Sequence, residues 1–126
     1  MPEPIILSTW SFGQKANAAG WPPLTSRHPS SLDAVEQACR AVEADPTNMS
    51  VGLGGRPDQG GEVSLDASIM LSPARCGSVC YVRQFMHPVT IARLVMEKTP
   101  HVMLVGDGAE RFARLHGLQP VQLLTE

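Results

Sequence analysis

Apolar positions change their period several times along the chain, and each change predicts an element. Leu32, Val35, Cys39 and Val42 recur at helical spacing, with Asp33, Glu36, Arg40 and Glu43 on other faces, which predicts a helix over 31–44. Ser30 or Ser31 can cap its start, and Pro46 follows its end. Val63, Leu65, Ala67 and Ile69 then alternate with Ser64, Asp66, Ser68 and Met70, the period of a half-buried strand. Residues 77–82 read as a second strand, and the Ser72-Pro73-Ala74-Arg75 turn joins the two as an antiparallel hairpin. Pro88 suits the first position of a helix reaching about Lys98, with Ile91, Leu94 and Val95 on its apolar side. Residues 102–105 form a short, fully apolar strand. A last helix over 107–116 carries Ala109, Phe112, Ala113 and Leu115 and is closed by Gly117.

Three weaker segments complete the outline. Residues 4–9 are apolar and partly β-branched, a first strand; 17–24 have weak helical character that Pro22 and Pro23 must interrupt; 121–124 start another strand. Between the first long helix and the hairpin, residues 49–61 are rich in glycine and read as loop and turn. The order β-α-loop-β-β-α-β-α points to an α+β fold, a mixed sheet covered by helices. At least one strand edge is left without a neighbour, and an unpaired apolar edge calls for a partner.

Composition narrows the class. The 126 residues make one domain, 1–126, and 43% hydrophobic against 17% charged residues is enough to build a core. With a formal net charge of -2 and ten Lys and Arg residues spread singly, neither nucleic acid nor an anionic membrane is an expected partner. No stretch approaches the roughly 20 apolar residues of a membrane span. Ile5-Ile6-Leu7 lacks the basic leader of a signal peptide, so a cytoplasmic location is expected. Cys39, Cys76 and Cys80 read as free thiols, Cys39 as a buried and inert one. A Cys76–Cys80 bridge is possible, but two thiols four apart in a strand close awkwardly. His28, His87, His101 and His116 are scattered without zinc-like spacing, so no metal site is expected.

Three stretches together resemble the glycosylasparaginase and plant-type asparaginase family. They are Leu7-Ser8-Thr9-Trp10-Ser11-Phe12-Gly13; Ser50-Val51-Gly52-Leu53-Gly54-Gly55-Arg56-Pro57-Asp58 continuing through Leu65-Asp66-Ala67; and His87-Pro88-Val89 through Val105-Gly106-Asp107-Gly108-Ala109. The resemblance covers nearly the whole chain in order. It implies an αββα sandwich of two sheets flanked by helices, of which this chain is the N-terminal, α portion. It also implies a precursor that cuts itself ahead of a threonine, which becomes the nucleophile at the start of a β chain, with its own amino group as base. Such enzymes hydrolyse side-chain amides of asparagine derivatives and release aspartate; the leaving group is a glycosylamine, ammonia or a peptide. No cofactor is implied.

The resemblance places no catalytic residue in this chain. Thr125 lies in a Leu-Leu-Thr-Glu stretch that resembles the region upstream of the cut, so the nucleophile, the substrate-anchoring groups and the oxyanion hole belong to the β chain, in an (αβ)2 assembly. Alone, the chain is expected to be inactive. One site residue carries over: Trp10 matches a tryptophan lining the pocket for the small asparagine-derived substrate, where an indole supplies a rigid wall and one N–H donor. Packing or capping is the expectation for Ser11 and Phe12. The loop Thr25-Ser26-Arg27-His28-Pro29 departs from the serine and paired glycines usual in the family. Asp66, on the polar face of its strand, is expected to organise neighbouring backbone N–H groups rather than react.

Other readings compete. Residues 102–105, Gly106-Asp107-Gly108, a helix and 121–124 make a strand–glycine–helix–strand unit like a nucleotide-binding module, but Arg111 stands where the third glycine should be. Asp107 is more simply an N-cap or first-turn acid. A truncated homologue acting only as a binding module is the remaining alternative; such a protein should be monodisperse and stable alone.

Overall fold

The computed structural model describes residues 3–126, among which there are four helices and one three-stranded sheet. In chain order these are α1 (Gly13–Thr25), α2 (Ser31–Glu43), β1 (Leu65–Ser72), β2 (Arg75–Val82), α3 (Pro88–Lys98), β3 (Met103–Val105) and α4 (Gly106–Leu115). The sheet runs β1-β2-β3 and is mixed: β1 pairs antiparallel with β2, and β2 parallel with β3. This is the expected α+β architecture, with the hairpin turning between Ser72 and Arg75 and α3 making the crossover that a parallel pair requires.

Strand alternation decides where the core sits. Leu65, Ile69, Val79 and Val82 point to one face and are buried with Ile91, Ala92 and Val95 of α3, Ala109 and Ala113 of α4, and Leu123. Each leucine, isoleucine or valine side chain among them contributes about 1.5–3 kcal/mol by leaving water. The opposite face is open. Register places Ser68, Ser78 and Met103 in one row, Met70 beside Cys76, and Cys80 beside Val105. Met70, Met103 and Val105 are each more than half exposed.

Helix α2 starts and ends close to expectation, and Ser30 Oγ accepts from Asp33 N at 3.1 Å as its cap. Its faces differ from the sequence pattern. Glu36 and Glu43 are buried, whereas Val35 is 45% exposed. The inner face is set by Ala34 and Ala38, which approach α1 so closely that a side chain on Gly20 would lie 2.7 Å from the Ala34 carbonyl oxygen. The two carboxylates turn inward because α3 supplies them with hydrogen-bond donors.

Three expected boundaries are corrected. Residues 3–9 form no strand; the described backbone hydrogen bonds engage none of them, and a strand exists only where another chain segment pairs with it. The prolines do not interrupt α1, which runs through Pro22 and Pro23 to Thr25. They fall in its last turn and deprive only Ala18 and Ala19 of a donor, both at least partly exposed, so water serves those carbonyls. Residues 121–124 are irregular, tied down by Val121 N to Gln84 O at 2.7 Å and Gly54 N to Leu123 O at 2.8 Å.

Candidate functional site

An open, largely apolar groove of about 500 Å³ lies between the N-terminal segment, α1, α2 and the start of β1. Ile6, Leu7, Ser8 and Thr9 form one wall, Val35, Cys39 and Val42 of α2 another, and Asp66, Ala67 and Ser68 the third. Leu7 is 88% exposed, which is unusual for a leucine flanked by apolar groups. The exposure of Val35 has the same origin: it faces this groove rather than the core.

Trp10 follows the first wall directly. It stands 80% exposed, with φ 61, and its carbonyl accepts from Gly13 N at 3.1 Å to close the turn into α1. It is not among the residues lining the groove. Of its neighbours, Phe12 packs with Ile6 against Ala16, Ala38 and Val42, and Ser11 is exposed.

Asp66 behaves as its place on the strand suggests. Its carboxylate accepts from Tyr81 N at 2.8 Å, holding a second exposed aromatic residue at φ 56. Tyr81 in turn donates its hydroxyl to Glu62 at 2.5 Å, which raises the phenol's pKa. Hydrogen bonding to Asp66 pushes the Cys80 thiol up, and burial, reinforced by Glu43 and Glu36, does the same to Cys39. Both thiols therefore stay protonated near neutrality, the opposite of an activated nucleophile. Cys39 is half-buried, in the groove wall and packed against the edge of the core.

A buried carboxylate in the groove wall is the polar group that sequence pattern missed. Glu43 accepts from Val89 N at 3.1 Å, at the start of α3, and lies 3.0 Å from His87 Nδ1. It is 3% exposed. Seven residues apart, Glu36 and Glu43 fall on the same side of α2 as Cys39 and Arg40, and that spacing was the available signal. Glu36 accepts from Thr90 Oγ1 at 2.7 Å and from Arg93 Nη1 at 2.6 Å.

The remaining candidates resolve into structural roles. Asp107 lies in the first turn of α4 and pairs with Arg83; the N-cap itself is Val105. With 121–124 irregular and that acid at the helix start, the strand–glycine–helix–strand unit of a nucleotide module does not form around Gly106-Asp107-Gly108. In the divergent loop, Thr25 Oγ1 donates to Trp21 O at 3.0 Å and Ser26 Oγ to Pro23 O at 3.2 Å, so its hydroxyls cap the last carbonyls of α1. His116 Nδ1 lies 3.0 Å from Phe112 O. Among the described residues no group of His, Cys, Asp and Glu is arranged to hold a metal ion.

Comparison with known proteins addresses the whole chain. It is 54% identical over 123 residues to an N(4)-(Beta-N-acetylglucosaminyl)-L-asparaginase of Elizabethkingia miricola, covering 98% of this chain and 36% of that protein. It is 40% identical over 126 residues to the mouse enzyme of the same name, covering 99% of this chain and 36% of the relative. A plant-type L-asparaginase of Thermococcus kodakarensis is 40% identical over 114 residues, 90% of this chain and 36% of that protein. The chain thus spans about a third of the length of the relatives it matches. A family model described as asparaginase matches residues 7–126, from the groove's first wall to the last residue, and the chain belongs to that family.

Proposed function

We propose that this chain is the α portion of an amidohydrolase that cleaves the side-chain amide of glycosylated asparagine and releases aspartate. The observation that carries this reading is the unpartnered apolar surface formed by residues 3–9, the groove and the open sheet face. A catalytic β chain seated there would give residues 5–7 strand partners and cover Met70, Met103 and Val105. The nucleophile is the N-terminal threonine of that β chain, and two such pairs make the (αβ)2 enzyme. Its hydroxyl oxygen attacks the amide carbonyl carbon while its own α-amino group takes the hydroxyl proton. The C–N bond then breaks, the amine leaves with that proton, and water cleaves the remaining aspartyl ester. Cys39 and Cys80 are unsuited to replace that threonine, since both thiols are held protonated. Trp10 supplies one wall of the substrate pocket, at the end of the segment that the β chain covers.

The test is the intact mass and N-terminal sequence of every polypeptide that purifies with this chain from its source. A companion beginning with threonine, with aspartate released from glycosylated asparagine by the pair, is the expected result. The chain alone, folded and monodisperse, overturns it. In the assembled enzyme, Trp10→Ala is expected to lower kcat/KM about tenfold or more, as loss of roughly 1.4 kcal/mol or more of pocket contact would. Unchanged kinetics would remove Trp10 from the site.

A further inference from the structure

The segment that carries Trp10 is clamped at both ends. Ser8 Oγ donates to Asn17 Oδ1 at 2.6 Å, joining the groove wall to α1. Gly13, the first residue of α1, lies flat against Ser8: a side chain there would meet Ser8 Cβ at 2.8 Å. Gly13 N also donates to Trp10 O at 3.1 Å. Between these anchors Trp10 sits at φ 61, a conformation that a bulky L residue keeps only where its surroundings over-determine it. The indole does not provide that hold itself, because the residue is 80% exposed. The restraint therefore comes from the residues on either side.

We propose that Ser8, Gly13 and Asn17 are positioning residues that hold Trp10 in its left-handed conformation and so fix where its indole meets the amide substrate. The substrate clause rests on Trp10 lining the pocket; the clamp itself does not. Ser8 contributes a donor and a Cβ seat, Asn17 the acceptor, and Gly13 the space for close approach. A fixed backbone at a binding residue is useful here: it narrows the positions the indole can reach before substrate arrives, so less freedom is lost on binding.

The experiment is time-resolved fluorescence anisotropy of this chain in a Trp21→Phe background, which leaves Trp10 as its single tryptophan. In the parent, kept dilute enough to stay unassociated, the exposed indole should show only its own side-chain wobble on a backbone that follows overall tumbling. Ser8→Ala, which keeps the Cβ seat, and Asn17→Ala should each add a sub-nanosecond decay that removes about a third of the anisotropy, the contrast between rigid and mobile sites. Asn17→Asp keeps an acceptor and should restore the parent decay. A parent-like decay in Ser8→Ala with unchanged circular dichroism overturns the proposal, as does equal loosening by Asn17→Asp and Asn17→Ala. If Ser8→Ala unfolds the chain, the half-exposed Asn17 pair decides. Loosening on this pattern beside a kinetically silent Trp10→Ala would uphold the clamp and sink the pocket reading instead.

Discussion

Glu43 shows how one residue can be misread from spacing and understood from its partners. On a helical wheel it is a polar position at the end of an amphipathic helix. In the fold it is 3% exposed because the amide of Val89 and the ring of His87 meet it there. A carboxylate that loses water must be met by donors, and these come from more than forty positions further on, where sequence periodicity carries no information. Glu43→Ala should cost about 3 kcal/mol, since it leaves a buried N–H at the start of α3 unpaired; Glu43→Gln, which keeps an acceptor, should cost about 1 kcal/mol. Urea denaturation midpoints of the two variants check the difference. Asp66 was the easier case: a lone acid on a half-exposed strand face has mainly backbone amides within reach, and it accepts from Tyr81 N. Trp10 enters as a candidate only through resemblance, because no property of its neighbours in sequence distinguishes a pocket indole from a packed one.

Elements were legible wherever one element's own residues decide its form. Helix α2 with its serine cap, α3 with Pro88 at its first turn, α4 closed by Gly117 and the β1–β2 hairpin all follow from local period and local punctuation. Residues 4–9 and 121–124 were not, because an isolated apolar run is strand-like in sequence and becomes a strand only opposite a partner. The α1–α2 pair adds an electrostatic pin at its open end, where Lys15 Nζ lies 2.6 Å from Asp45. That hydrogen bond, with help from Thr47, lowers the Asp45 pKa from 3.8 to about 2. A depressed folded-state value means the pin acts fully above the ordinary carboxylate range and is lost as pH falls through about 2. The pair is exposed, so its effect on stability should be small, and the carboxyl itself is the better reporter. Carbon-detected NMR titration should place the Asp45 midpoint near 2, and Lys15→Met should move it back toward 3.8 without reaching it, because the Thr47 bonds remain.

At the scale of the molecule, one face of the sheet is packed and the other is not, and the groove continues that exposed surface to the N-terminal segment. Purified by itself, the chain should bind a hydrophobic dye and associate as its concentration rises. Leu7→Lys together with Val35→Lys should suppress self-association while leaving helix content unchanged, since neither side chain contributes to the buried core. The same double substitution should abolish assembly with the proposed β chain; sedimentation velocity distinguishes these outcomes. The buried carboxylates of α2 have a further consequence in time. Glu36 and Glu43 find their donors in His87, Val89, Thr90 and Arg93, between 44 and 57 positions later in the chain. At ribosomal rates of about 5–20 residues per second, α2 leaves the exit tunnel on the order of 2–10 s before those donors do. During that interval both acids stay hydrated, since the donors that meet them when buried have not yet emerged. Docking of this face of α2 is thereby postponed until α3 has emerged.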